Sequence, residues 1–177
     1  MNQWIYTILV VDVNRIGGIA LLSVPLASST RWFPPQRKTA RSVIMVATKT
    51  IEQSVTFNAS PHDVYEALMD SEKHSQFTGA KALISREVGG SFTAYDGALS
   101  GEILELVPDA KIVQTWRGSD DGWIPGHYST ATFLLEPIDG GTRLTLVQTG
   151  VPEESFEQIS QGWETYYWPK MKKMLQS

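Results

Sequence analysis

The chain contains no cysteine, which removes a disulfide framework, a thiolate nucleophile and a thiolate metal site together. That fits a reducing cytoplasm, where structural disulfides are rare. Long hydrophobic runs are also missing. The apolar stretches IYTILVVDV and IGGIALLSVPLA are separated by Asp12, Asn14 and Arg15, and neither reaches the roughly 20 apolar residues that span a bilayer. Histidine is sparse. His62, His74 and His127 stand far apart, without the helical or ribbon spacing that gathers metal ligands, and each reads as a surface or capping residue. No G-x-S-x-G elbow, phosphate loop or dinucleotide fingerprint occurs, and neither a metal nor a cofactor is implied.

What is present divides the 177 residues unevenly. Residues 1–45 carry five basic residues against Asp12 alone, net +4, whereas the remainder carries ten basic and eighteen acidic residues, net −8. An acidic body repels a phosphate backbone, so nucleic acid is not an expected partner. The first 45 residues read as an extension, either a disordered arm or an upstream start of the reading frame. Residues 16–26 have the length of a signal core, with cleavage after Ala27, but no basic residue stands at the very start. Residues 29–42 are basic and proline-containing, as linkers are. Met45 opens MVATKTIEQ just before the first regular strand, so the domain is expected over 46–177.

From residue 50 the pattern becomes periodic. In TIEQSVTF, Ile51, Val55 and Phe57 point one way and Glu52, Ser54 and Thr56 the other, which is a half-buried strand. Ser60 is a helix N-cap candidate, Pro61 suits the first helical position, and Val64, Tyr65, Leu68 and Met69 form one stripe. SEKHSQFTG predicts a second short helix ending at Gly79. Six strands follow: KALISREV, GGSFTAY, ALSGEILELV, KIVQTWR, HYSTATFLLEP and RLTLVQT. Asp96 and Gly97 form a hairpin signal, because both positions must tolerate positive φ. The order β-α-α-β6-α describes an α+β protein with about seven strands in a curved antiparallel sheet around a long C-terminal helix.

That helix carries the main functional signal. At about 100° per residue, Phe156, Ile159, Tyr166, Tyr167, Met171 and Met174 fall within roughly 140° of arc around Trp163. Pro169 predicts a bend, and Gly162 costs about 1 kcal/mol relative to alanine in a helix interior. The sheet offers small residues, Ser129 and Ala131, beside Phe133. Large rings opposite small side chains either interlock or leave a ligand-sized void, and both remain open from sequence. Lys170 falls on the apolar arc, either snorkelling to its rim or serving as a cavity lysine that grips an acidic ligand or forms a Schiff base. Loop 118–126 carries Gly118, Gly122 and Gly126 between Trp116 and His127, and is a candidate lid. Glu102 and Glu105 lie on opposite faces of one strand, so they form no acid/base pair, and an ion pair with Lys111 or Arg117 is expected.

Three stretches carry a resemblance: GGSFTAYDGALSGEILELVPDAKIVQTWR, GWIPGHYSTATF and TGVPEESFEQISQGWETYYWPKM. Over residues 49–176 the chain resembles the helix-grip (START-like, birch-pollen-allergen-like, SRPBCC) superfamily. Within it, the chain resembles the C-terminal domain of the activator of heat shock protein 90 ATPase and its stand-alone homologues. The resemblance implies either of two partners, a small hydrophobic ligand held between sheet and helix or a chaperone ATPase. Residues 1–45 are too short and of the wrong composition to be expected to replace the separate N-terminal docking domain of the eukaryotic co-chaperones. The combined expectation is a cytoplasmic, non-enzymatic binding domain without a membrane span. Its groove is expected to be lined by Trp116, Phe133, Trp163, Tyr166 and Tyr167, with Phe77 at the entrance and Lys170 as the polar group. The alternatives are a co-chaperone-type stimulator contacting its partner through acidic loops such as Asp120 and Asp121, and a cyclase- or dehydratase-like enzyme using a cavity lysine, tyrosine or carboxylate.

Overall fold

A computed structural model describes residues 5–10 and 43–176, with side chains described from residue 46. The signal-like run and the linker lie outside the described residues. Strand β1 (Ile5–Val10) pairs antiparallel with the first part of β2 (Val43–Phe57), which begins three residues before the expected domain start. Two helices follow. In α1 (Pro61–Met69), the Ser60 side chain accepts from the Asp63 amide at 3.1 Å, and proline fills the first position. Asp70 ends α1 and caps α2 (Ser71–Thr78), its carboxylate accepting from the Glu72 and Lys73 amides. Orphan amides at both helix starts are thus satisfied locally. Gly79 closes α2 with φ of 77°, the left-handed value that favours glycine.

The remaining strands are β3 (Leu83–Ile84), β4 (Ser91–Ala94), β5 (Leu99–Val107), β6 (Lys111–Gly118), β7 (Ser129–Ile138) and β8 (Gly141–Pro152). They form one antiparallel sheet in the order β1-β2-β8-β7-β6-β5-β4-β3. The expected strand over KALISREV shrinks to two residues. The chain leaves the strand after Ile84 and bends through residues 86–89, a turn that ends at Gly89, whose φ is 82° and whose amide donates to Ile103 O. The Asp96 and Gly97 turn forms as expected, with φ of 57° and 93° and the Ala98 amide closing onto Tyr95 O. Strand parity puts Ile112 and Trp116, Ala131 and Phe133, and Leu144 and Leu146 on one buried face. The opposite face carries half-buried threonines at 115, 130, 132 and 145.

One parity expectation fails. Glu102 and Glu105 are both exposed, because a register shift between Ile103 and Glu105 inserts an extra residue into β5. A bulge of this kind turns the following side chain to the other face. Glu105 pairs with Lys111 at 2.8 Å.

The chain closes in a run of helical turns over 153–175 that packs on the buried face. A 3-10 turn (Glu153–Ser155) leads into α3 (Phe156–Gly162), a π-helical turn (Trp163–Tyr167) and α4 (Trp168–Leu175). The expected bend at Pro169 takes the form of this wide turn. Proline has no N–H, and its ring crowds the carbonyl four residues back. The wide turn just before it lets the Trp168 amide reach Trp163 O, five residues back. This architecture, a single sheet wrapped around a terminal helix, is the helix-grip fold.

Candidate functional site

A π turn advances roughly 80° per residue rather than about 100°. The difference redistributes the aromatic cluster. Trp163, Tyr167 and Trp168 face the sheet and are buried, while Tyr166 turns outward and is 62% exposed. Trp163 and Trp168 stack with ring centroids 5.1 Å apart, and Tyr167 packs edge-on against both. From the sheet, Phe133 meets Trp163 edge-on at 5.9 Å and Trp116 meets it at 6.1 Å.

Each buried ring of the helix also has a polar anchor. Trp163 Nε1 donates to Gln148 Oε1 at 2.9 Å, and Gln148 Nε2 donates to Ser129 Oγ, which donates to Trp116 O. Trp168 Nε1 donates to Gln53 Oε1 at 2.8 Å, and Gln53 Nε2 donates to Ser160 O. The third anchor is His74, not the surface residue expected but a core one. Its Nδ1 lies 3.2 Å from Leu68 O, an acceptor only, so Nδ1 carries the proton. Nε2 then accepts from the Tyr167 hydroxyl at 3.2 Å. Burial holds the imidazole below its ordinary value, with the Leu68 contact opposing. Burial, with a smaller contribution from Tyr95, pushes the Tyr167 phenol well above its own.

Between sheet and helix the rings interlock. The space left among Met69, His74, Phe92, Ile112, Phe133 and Trp163 is about 20 Å³, room for about one water molecule. A larger space opens along the flank of the helix. A groove of about 450 Å³ runs between α3–α4 on one side and Tyr95, Leu99 and residues 118–120 on the other. Its walls include Trp116, Ile159, Gly162, Trp163, Tyr166, Tyr167 and Lys170. This lies in the 300–1,000 Å³ range of small-molecule sites. Gly162 sustains the opening, since a Cβ there would meet nothing within 4 Å.

The seven expected site residues therefore part company. Trp116, Trp163, Tyr166, Tyr167 and Lys170 all reach the groove. Phe133 borders only the small internal space. Phe77 is buried against His74 and Tyr167, with centroids 4.9 and 5.0 Å away. Lys170 Nζ donates to Thr78 O at 3.0 Å, meeting an orphan carbonyl at the end of α2. Loop 118–126 is pinned rather than free. Asp120 Oδ1 accepts from Ser155 Oγ and the Gly122 amide, Arg117 donates to the carbonyls of Trp123 and Ile124, and Trp123 is buried against Trp116 and His127. Asp120 thus ties the loop to the helix start. His127 is buried as well, its Nε2 2.7 Å from Gly150 O.

Sequence reasoning passed over Gln53 and Gln148, Tyr95, and the role of His74. The glutamines had a visible signal: in RLTLVQT, Leu144, Leu146 and Gln148 share parity, so an apolar strand face ends in an amide that needs partners. Tyr95 had none, because its place on the groove depends on where the β4–β5 turn folds.

The fold is that of a helix-grip domain, with a filled aromatic core and an open, aromatic-walled channel beside its last helix. The family described as "Activator of Hsp90 ATPase homolog 1-like protein" matches residues 58–176, and the chain belongs to it. The human activator of 90 kDa heat shock protein ATPase homolog 1 is 34% identical over 139 residues, covering 78% of this chain and 40% of that protein. The Dictyostelium discoideum homolog is 37% identical over 119 residues, covering 66% of this chain and 30% of its own. The chain thus spans well under half the length of these relatives. A crystal structure of an HSP90 activator from Plasmodium falciparum superposes with a TM-score of 0.68 at 24% identity, covering 72% of this chain and 96% of that one. A Chromobacterium violaceum protein gives 0.61 at 26% identity, covering 72% and 97%. Among the described residues no helix is long and apolar enough to cross a membrane.

Proposed function

We propose that residues 46–177 form a cytoplasmic, non-enzymatic binding domain that holds a small apolar ligand in the groove beside its last helix. The observation that carries this reading is the contrast between a ring-packed interior with about 20 Å³ left and an aromatic-walled channel of about 450 Å³ at its flank. Ligand sites are mostly apolar with a few polar groups, and here Tyr95, Tyr166, Gln158, Asp120 and Lys170 supply those. Native mass spectrometry of freshly purified protein tests the reading. A co-purified small molecule, lost in a Gly162→Leu variant that fills the channel, is the expected result. Binding that survives in that variant overturns it.

A second reading is favoured by the relatives, several of which carry the name of activators of a heat shock protein ATPase. In it, the domain contacts a chaperone ATPase. The exposed Tyr166 and the acidic residues of loop 118–126 are the candidate contacts. ATP turnover by the chaperone with and without this protein decides, and unchanged turnover removes the reading.

A further inference from the structure

We infer that the groove selects an anionic amphiphile, a ring- or chain-bearing molecule with one terminal carboxylate or sulfonate, oriented with its acid at Lys170. This rests on the groove being a ligand site, as proposed above. Three observations carry it. First, the groove has opposite charges at its two ends. Asp120 is tied to Ser155 at the start of the helical run, and Lys170 lies on α4 against Thr78. From Gln158 to Lys170 the helix advances roughly 18 Å, so the two charges mark the ends of a channel. Second, Lys170 is only partly used. One ammonium N–H goes to the Thr78 carbonyl, and no carboxylate among the described residues pairs with it. Two donors and the whole charge remain for a ligand. Asp120 Oδ1, by contrast, already accepts two hydrogen bonds. Third, the wall between the ends is apolar and aromatic: Trp116, Ile159, Trp163 and Tyr167, with Gly162 leaving the width open.

The domain as a whole is acidic, net −8 beyond residue 45, and so repels anions at long range. That repulsion is screened within about 8 Å at physiological salt. Recognition then falls to the local cation, and Lys170 is the lysine that borders this groove. Lys170 is an exposed residue at the rim of the groove, its ammonium donating to the Thr78 carbonyl, so a bound acid meets a charge that already has one anchoring contact. An ion pair at an exposed lysine discriminates an acid from its neutral counterpart by roughly two- to fivefold.

The test uses two fluorescent probes of matched ring size, anilinonaphthalene sulfonate and the uncharged phenylnaphthylamine, titrated into the full chain. Tighter binding of the sulfonate is expected, weakening as salt rises, with the neutral probe insensitive to salt. Lys170→Gln is expected to lower sulfonate affinity roughly two- to fivefold and leave the neutral probe unchanged, and Lys170→Arg to keep the preference. If both probes bind alike, without salt dependence, and Lys170→Gln changes neither, the acid selectivity is overturned while the groove stands. If neither probe binds, or Gly162→Leu leaves both bound, the groove itself is refuted and this inference with it. The salt titration needs no variant, so the outcome is readable even if Lys170→Gln loosens the fold.

Discussion

Replacing Gly162 with alanine will raise the melting temperature. Glycine in a helix interior is destabilising by about 0.8–1.0 kcal/mol relative to alanine, because it loses more backbone freedom on folding. Gly162 has φ of −57° and ψ of −45°, ordinary helical values, so no left-handed conformation calls for glycine there. An added Cβ would meet nothing within 4 Å, so no steric penalty offsets the gain. At about 2.1 cal/mol/K of unfolding entropy per residue over about 130 residues, that gain is a rise of about 3–4 °C. A circular-dichroism melt or calorimetry measures it. Gly162→Leu keeps most of the helix benefit but places four carbons in the channel, so it will hold its melting temperature and lose the probes. The pair of variants separates stability from binding. A fall in melting temperature for Gly162→Ala would refute the reasoning, because it would mean that something packs where the groove is drawn.

Gln148→Leu will destabilise the fold by about 1–3 kcal/mol, since it leaves the Trp163 indole N–H buried without an acceptor; a denaturant titration near the wild-type midpoint would show the glutamine to be dispensable. Gly101→Ala will be worse tolerated than its size suggests, by roughly 1–3 kcal/mol or more, because its Cβ would overlap the Thr115 carbonyl and the Phe92 ring across the sheet. The His74 imidazole, held below its ordinary 6.5 by burial, makes the unfolded chain the stronger proton binder. Its contribution to stability is therefore full above pH 6.5 and declines as pH falls from there toward the folded-state value, by at most about 1.4 kcal/mol per pH unit. Unfolding measured across that window will lose this slope in His74→Gln, and an unchanged slope would assign it to other groups.

Local rules were enough for much of this protein. The parity of TIEQSVTF, the Ser60 cap, the left-handed Gly79 and the positive-φ turn at Asp96 and Gly97 each depend on a few neighbouring residues, and each folds as its sequence dictates. The strand-and-helix order, and with it the helix-grip architecture, followed from those pieces. The wide apolar arc of the last helix likewise predicted that it would pack on the sheet.

Which rings pack inward and which line a groove was settled elsewhere. A straight helix places Tyr166 on the same side as Trp163, but the wide turn before Pro169 rotates it to the surface and brings Trp168 in. The rotated indoles then meet acceptors on the sheet beneath, Trp163 at Gln148 and Trp168 at Gln53, residues distant in sequence from the helix. The bulge in β5 and the burial of His74 and His127 likewise depend on contacts between residues distant in sequence. The choice between an interlocked core and a cavity was undecidable from composition, because both use the same large and small residues. Only the placement of the β4–β5 turn and of residues 118–120 against the helix decides that the core is full and that the open volume lies along its flank.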